Sequence, residues 1–374
     1  MNGESGNRMG PEKRRRKAVL SALTAAIILI WETWAPLNAG QDLAARARGL
    51  FGRLPAAMVS EKNPLTPEKI MLGQILFHET RISIDGTVSC ARCHPFGLYA
   101  ADGLKTSVGN RCAVNMRNAP TILNAAGQVS QHWIGNRTDV EDQARQSVVG
   151  PASFGMPSTS EVERRLRQID GYRPLFEAAF PGDVEPITVD HFAAAIGAFE
   201  RTLVTPSPFD DFMAGSRVAL SDRAAKGLVA FMDSGCASCH AGTYLGGGQY
   251  GKFGIVGPYW EYTKSEKPDE GRFAASKDEA DKYVFKVPGL RNVARTPPYF
   301  HDGSVDALET AVWVMGKAQL GRDLAKEELV DLQAFLESLT GKIPEDALRF
   351  PELPAKTSDG KTPSQSVPEE MRRK

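Results

Sequence analysis

Four of the chain's five cysteines fall in two short segments, CARCH at 90–94 and CASCH at 236–240. Cys-x-x-Cys-His is the attachment pattern of c-type haem. Two thiols at this spacing can add to the two vinyl groups of one macrocycle. The histidine that follows is then held beneath the iron as proximal ligand. Cys90, Cys93 and His94 form one such set, and Cys236, Cys239 and His240 form the second. Disulfides and zinc sites draw on the same residue types, but neither explains a histidine directly after each pair.

The second axial ligand decides most of what a haem does. A thioether raises the potential and favours electron transfer, whereas an open face admits peroxide or oxygen. Met315, in AVWVMGKAQLG, is the candidate thioether for the C-terminal haem. On residue type alone, a methionine on an apolar helix face is more often core filler. For the N-terminal haem the sequence offers His78, His132 and Met116. An open or water-bound iron is the simplest reading there.

These residues need elements to hold them. In NPLTPEKIMLGQILFHE, Thr66 can cap, Pro67 suits the first turn, and Ile70, Leu72, Ile75 and Leu76 follow helical spacing. STSEVERRLRQI offers Ser160 with Glu163 as a capping box. Residues 188–203 read as a buried helix, 205–212 as a turn-rich boundary, and 220–235 as a helix leading into the second motif. Two amphipathic helices follow in SVDALETAVWVMG and LAKEELVDLQAFLESLTG, each ending at glycine. Strand signals are few. The expected fold is mainly α, with two tandem cytochrome c-like domains, each carrying one covalently attached haem. The expected limits are 40–60 for a connector, 61–205 for the N-terminal haem domain, 206–347 for the C-terminal one, and 348–374 for a disordered tail.

Residues 1–39 join a basic run, KRRRK, to a short apolar run, AVLSALTAAIILIW. This is the pattern of an export signal cut near Ala39, or of an uncleaved anchor. Both readings put the bulk of the chain outside the cytoplasm. Acids and bases balance at 45 each, so net charge gives no reason to expect a nucleic-acid partner.

The stretches LGQILFHETRISIDGTVSCARCH, RNAPTILNAA, FERTLVTPSPFD, KGLVAFMDSGCASCH, KVPGLRNVARTPPYFHDGS and FLESLTG resemble, in order, the bacterial di-haem cytochrome c peroxidases and their MauG-like relatives. The resemblance implies a periplasmic enzyme that reduces hydrogen peroxide. Its electrons would come from a small cytochrome c or a cupredoxin, enter at the C-terminal haem and be used at the N-terminal one. A homodimer is common in the family. The resemblance assigns Met315 as axial ligand, Trp133 as the residue between the haems and Gln143 to the distal pocket. It also implies a calcium ion held by the Asn118 side chain and the Thr296 and Pro298 carbonyls, oxygen donors suited to a hard cation.

Two departures from the family pattern stand out. Asn110 occupies the position of a histidine that closes the peroxidatic iron in the oxidised family enzymes. Gly155, before Met156, occupies the position of the distal glutamate. Glu141, Asp142 and Glu161 are the nearby acids that could substitute. The departures keep two alternatives in play, a MauG-like oxidase of another substrate and a di-haem electron carrier. Among the remaining features, Cys112 is expected as a buried structural thiol, His301 in a hydrogen-bonding role, His132 and His191 as structural or exposed, and 246–254 as a flexible glycine-rich loop.

Overall fold

The computed structural model describes residues 43–354. The expected export segment and the end of the tail lie outside them. Contacts divide the chain into two compact units, 1–49 and 50–374. In the first, residues 43–49 are helical. The second is mainly helical, with one two-stranded antiparallel sheet that pairs Tyr250–Lys252 with Val284–Lys286. No helix among the described residues is long and apolar enough to cross a membrane.

The scaffold rests on two helix crossings of the same design. In the first, the Thr66 hydroxyl caps the helix Pro67–Phe77 by accepting from the Lys69 amide (3.3 Å), and Pro67 supplies the fixed φ of the first turn. Its buried side, Leu72, Gly73, Leu76 and Phe77, packs on the helix Val189–Glu200, which Thr188 caps. In the second, the helix Asp222–Asp233, capped by Ser221, packs on Lys326–Glu337.

A glycine sits at each crossing. A Cβ on Gly73 would lie 1.9 Å from the Ala195 oxygen and 2.8 Å from the Phe199 Cβ; one on Gly227 would lie 1.8 Å from the Asp331 oxygen and 2.9 Å from the Phe335 Cβ. In both halves the glycine covers a carbonyl and the Cβ of a phenylalanine one turn further on.

The match continues past these phenylalanines. The Asn124 amide donates to the Leu203 carbonyl (2.9 Å) and the Asn292 amide to the Leu339 carbonyl (3.1 Å). Both asparagines adopt left-handed backbone, which Asn tolerates better than most residues. Both side-chain amides donate to one oxygen, Oγ1 of Thr205, at 2.7 and 2.9 Å. The two asparagine carbonyl oxygens accept from the amides of Thr205 and Gly341.

Several local expectations change. The cap before Thr159–Arg167 is Ser158, not Ser160, because the chain is extended at Ser158 and its hydroxyl accepts from the Glu161 amide. The turn-rich stretch 205–212 contains a short helix, Pro208–Met213, started by a Ser207–Asp210 capping box. The helix bearing Met315 runs Leu308–Leu320 and ends at Gly321, which is left-handed; Gly316 is interior and packs against Leu324. The last long helix ends at Glu337, and Gly341 instead allows close approach to the Thr205 carbonyl. Residues 43–51, within the expected connector, are helical.

The crossings make a direct prediction. Gly73→Ala and Gly227→Ala should each destabilise the protein by about 1–3 kcal/mol, the usual cost of overpacking. The check is a lower denaturant midpoint at unchanged slope in equilibrium unfolding.

Candidate functional site

Each Cys-x-x-Cys-His segment forms one tight turn. The His94 amide donates to the Cys90 carbonyl (3.0 Å), and the His240 amide to the Cys236 carbonyl (2.9 Å). The rings are oriented by a second bond. His94 Nδ1 lies 3.1 Å from the Ala100 carbonyl, and His240 Nδ1 lies 3.2 Å from the Leu245 carbonyl. A carbonyl only accepts, so Nδ1 carries the proton and Nε2 is left with its lone pair for a metal. Ala100 and Leu245 both have positive φ, which turns each carbonyl back onto its histidine. Burial pushes His94 below the ordinary imidazole value and His240 down to about 4, so both rings are neutral at physiological pH.

No disulfide joins any of the five cysteines. Burial pushes Cys90, Cys93 and Cys236 above the usual thiol range. Among the described residues no group of three or more His, Cys, Asp or Glu is arranged around a common point.

Gly246 and its neighbours are not a free loop. A Cβ on Gly246 would lie 2.3 Å from the Pro288 oxygen and 3.0 Å from His240 Nδ1, and the strand Tyr250–Lys252 follows directly. The glycine-rich stretch is packed against the candidate iron ligand.

The C-terminal set opens onto a cavity of about 320 Å³. Cys236, Cys239 and His240 line it together with Met315. Two thiols, an imidazole and a thioether on one largely apolar cavity are the donor set of a covalently attached, His/Met-ligated haem, and the residues fit that group.

Trp133, Asn118, Thr296 and Pro298 line the same cavity. The Trp133 indole N–H donates to the Asn118 carbonyl (2.9 Å), and the Asn118 side-chain amide donates to the Leu104 carbonyl (2.8 Å). That leaves Asn118 Oδ1 available. Neither the Thr296 nor the Pro298 carbonyl accepts a hydrogen bond from a described residue. His301 is buried, with Nε2 3.3 Å from the Tyr259 hydroxyl and its ring stacked on Phe285 at 4.3 Å.

The two departures from the family pattern meet in space. Asn110 is buried and its side-chain amide donates to the carbonyls of Pro151 (2.7 Å) and Ser153 (2.9 Å). Gly155 has φ +70, and a Cβ there would lie 2.5 Å from Asn110 Nδ2. Asn110 therefore fills the space that a side chain at 155 would need. Gln143, on the helix Val140–Ser147, is half-buried and does not line the C-terminal cavity.

The acids considered as substitutes are engaged elsewhere. Glu141 forms a two-pronged pair with Arg201 (2.9 and 2.8 Å) and accepts from Asn63. Asp142 accepts from the Thr138 amide and Gln146. Glu161 pairs with Arg164. Cys112 is exposed rather than buried, on a turn where it and Arg111 both have positive φ.

Sequence reasoning missed Glu200, in the FERTL stretch. It is 4 % exposed and within electrostatic reach of Cys90. Burial, with the neighbouring Glu141 charge, pushes it up to about 8, although Arg201 opposes the shift. Its sequence signal is an acid directly after the uncharged run Phe192–Phe199, at the end of the helix.

His78 and Met116 do not converge on His94, whereas the His132 ring is within electrostatic reach of it. His78 packs between the Phe77 and Phe350 rings, Met116 is exposed, and His132 Nδ1 bonds to Asn136 (3.0 Å). His191 is tied to the Pro186 carbonyl and stacked on Phe180.

Two c-type attachment turns on one mainly helical chain define a di-haem c-type protein. The sequence profile of the di-haem cytochrome c peroxidase family matches residues 67–218. The cytochrome c551 peroxidase of Pseudomonas aeruginosa is 41 % identical over 333 residues, which is 88 % of this chain and 95 % of that protein. The methylamine utilization protein MauG of Methylorubrum extorquens is 35 % identical over 326 residues, 84 % of this chain and 89 % of that one. A crystal structure of a MauG-like protein associated with microbial copper homeostasis superposes with a TM-score of 0.72 at 28 % identity, covering 80 % of this chain and 97 % of the other. The chain belongs to the di-haem cytochrome c peroxidase family.

Glu200 gives a pH prediction. Its folded-state value lies above the ordinary 4.5, so the folded chain binds this proton more tightly than the unfolded one. Stability from this group is greatest below about pH 4.5 and is lost as pH rises towards about 8. Glu200→Gln should therefore gain stability over the wild type progressively across that window, as measured by unfolding at a series of pH values. A constant difference would contradict it.

Proposed function

We propose that this chain is a periplasmic di-haem peroxidase that takes electrons from a small cytochrome c or cupredoxin and reduces hydrogen peroxide to water. It would consist of two cytochrome c-like domains, about 61–205 and 206–347. The observation that carries this reading is the single cavity on which Met315 joins Cys236, Cys239 and His240, with Trp133 in its wall. Bound haems supply the one-electron chemistry at each site.

Cys90 and Cys93 would hold one haem and Cys236 and Cys239 the other, with His94 and His240 offering Nε2 to the irons. Met315 would supply a thioether to the C-terminal haem, which favours the reduced state. Trp133 would serve both sites. It lines the C-terminal cavity, and its neighbour His132 is within electrostatic reach of His94, which supports this role. Asn118 Oδ1 and the Thr296 and Pro298 carbonyls would hold a calcium ion beside Trp133 and fix the position of its indole. Gln143 would hydrogen-bond peroxide at the N-terminal site.

Asn110 would not ligate iron in this reading, because an amide is a poor haem ligand and its side chain is anchored at the Pro151 and Ser153 carbonyls. The N-terminal iron would then be open even when oxidised. Electron-spin spectra of the fully oxidised protein should lack a bis-histidine low-spin signal; its presence would defeat this assignment.

The absence of an acid at Gly155, with Glu141, Asp142 and Glu161 all engaged, favours one second reading, a MauG-like oxidase of another substrate. A missing general acid costs about a hundredfold or more in rate. Steady-state oxidation of reduced cytochrome c by hydrogen peroxide separates the two. A rate above background, depressed in Met315→Ala together with a fall on the order of 100 mV in the C-terminal haem potential, is expected. No rate from a fully haem-loaded, calcium-bound sample would reject the peroxidase.

A further inference from the structure

Lys286 ends the strand Val284–Lys286, and its amide donates to the Trp133 carbonyl (2.8 Å). The side chain is only 6 % exposed, yet it lines the cavity shared by His240 and Met315. Its ammonium donates to Gln128 Oε1 and to the Ser130 carbonyl. Both acceptors are neutral. Among the described residues no carboxylate lies within ion-pair distance, and burial alone lowers the group to about 8. An ammonium has three N–H donors, so one remains unspent. A buried cation without a counter-charge is strongly disfavoured.

The surroundings add positive charge. Arg137 has a buried Nε with no hydrogen-bond partner among the described residues. The His132 ring lies in the field of both Arg137 and Lys286, and each opposes its protonation. Lys286 thus brings a cation to the cavity lining, with further positive charge from Arg137 behind it and no carboxylate paired to it among the described residues.

We propose that Lys286 is the counter-ion of a porphyrin carboxylate, pairing its free N–H with a propionate of the haem attached at Cys236 and Cys239. This rests on the haem reading above. The attachment cysteines take the vinyl positions of the macrocycle, so its two carboxylates are left to meet other parts of the wall. Lys286 is a positioning residue in this role. It fixes the porphyrin edge, and it offsets a negative charge that would otherwise stabilise the oxidised iron. Its backbone N–H donates to the Trp133 carbonyl, which ties the same residue to the chain beside the Trp133 indole.

The test is a redox titration of the holoprotein, with two haems per chain first confirmed by mass. In Lys286→Met the reduction equilibrium of the Met315-ligated haem should shift about tenfold towards the oxidised form, about 59 mV for one electron. In Lys286→Arg it should stay within about threefold of the wild type. Lys286→Gln serves where Lys286→Met does not mature. Haem loading that survives in Lys286→Arg but fails in both neutral variants also supports the pairing. Two loaded haems with an unmoved potential in the neutral variants would overturn it, as would a wild-type potential that follows added chloride or phosphate, the mark of a mobile anion. Fewer than two haems in the wild type would instead sink the haem reading itself.

Discussion

Two carbonyl groups, those of Ala100 and Leu245, decide what the histidines of this protein can do. Each accepts from Nδ1 and so fixes the tautomer, the ring plane and the free nitrogen of the residue five or six positions earlier. Without them a histidine after a Cys-x-x-Cys turn could rotate or offer the wrong nitrogen. The left-handed backbone at both residues serves this purpose, and Gly246, whose missing Cβ leaves room beside His240, serves it again. The glycine-centred helix crossings then set where each turn stands relative to its core.

Charge is arranged with equal economy. Two buried arginines are matched by two-pronged carboxylates, Arg201 with Glu141 and Arg291 with Asp210, the geometry in which burial of both charges is tolerated. Glu200 and Lys286 are buried without such partners. The first lies near the N-terminal attachment turn and the second in the C-terminal cavity. Burial neutralises Glu200 by raising its carboxyl towards 8, whereas Lys286 keeps a cation at the C-terminal cavity without a carboxylate partner among the described residues.

Features that depend on near neighbours were readable in the sequence. The cap Thr66, the buried helix expected over 188–203 and found at 189–200, and the two attachment motifs are all set by residues within a few positions of one another. Errors arose where two local candidates competed. Ser158 and Ser160 both suit a cap, and only the extended backbone at Ser158 selects it. Gly316 and Gly321 both suit a helix end, and packing against Leu324 makes the first an interior residue. Other features rest on contacts far apart in the chain. The fit of Asn110 into the space beside Gly155, the engagement of Glu141 by Arg201 and the isolation of Lys286 leave no local pattern.

The shared hydroxyl of Thr205 has a further consequence. An oxygen with two lone pairs receives one asparagine from its own half, Asn124, and one from the other, Asn292, so both acceptor positions are filled. Parting the chain at this seam would leave the buried Asn292 amide without its acceptor, a cost of about 1–3 kcal/mol for a buried polar group. One hydroxyl thus makes opening at this point unfavourable.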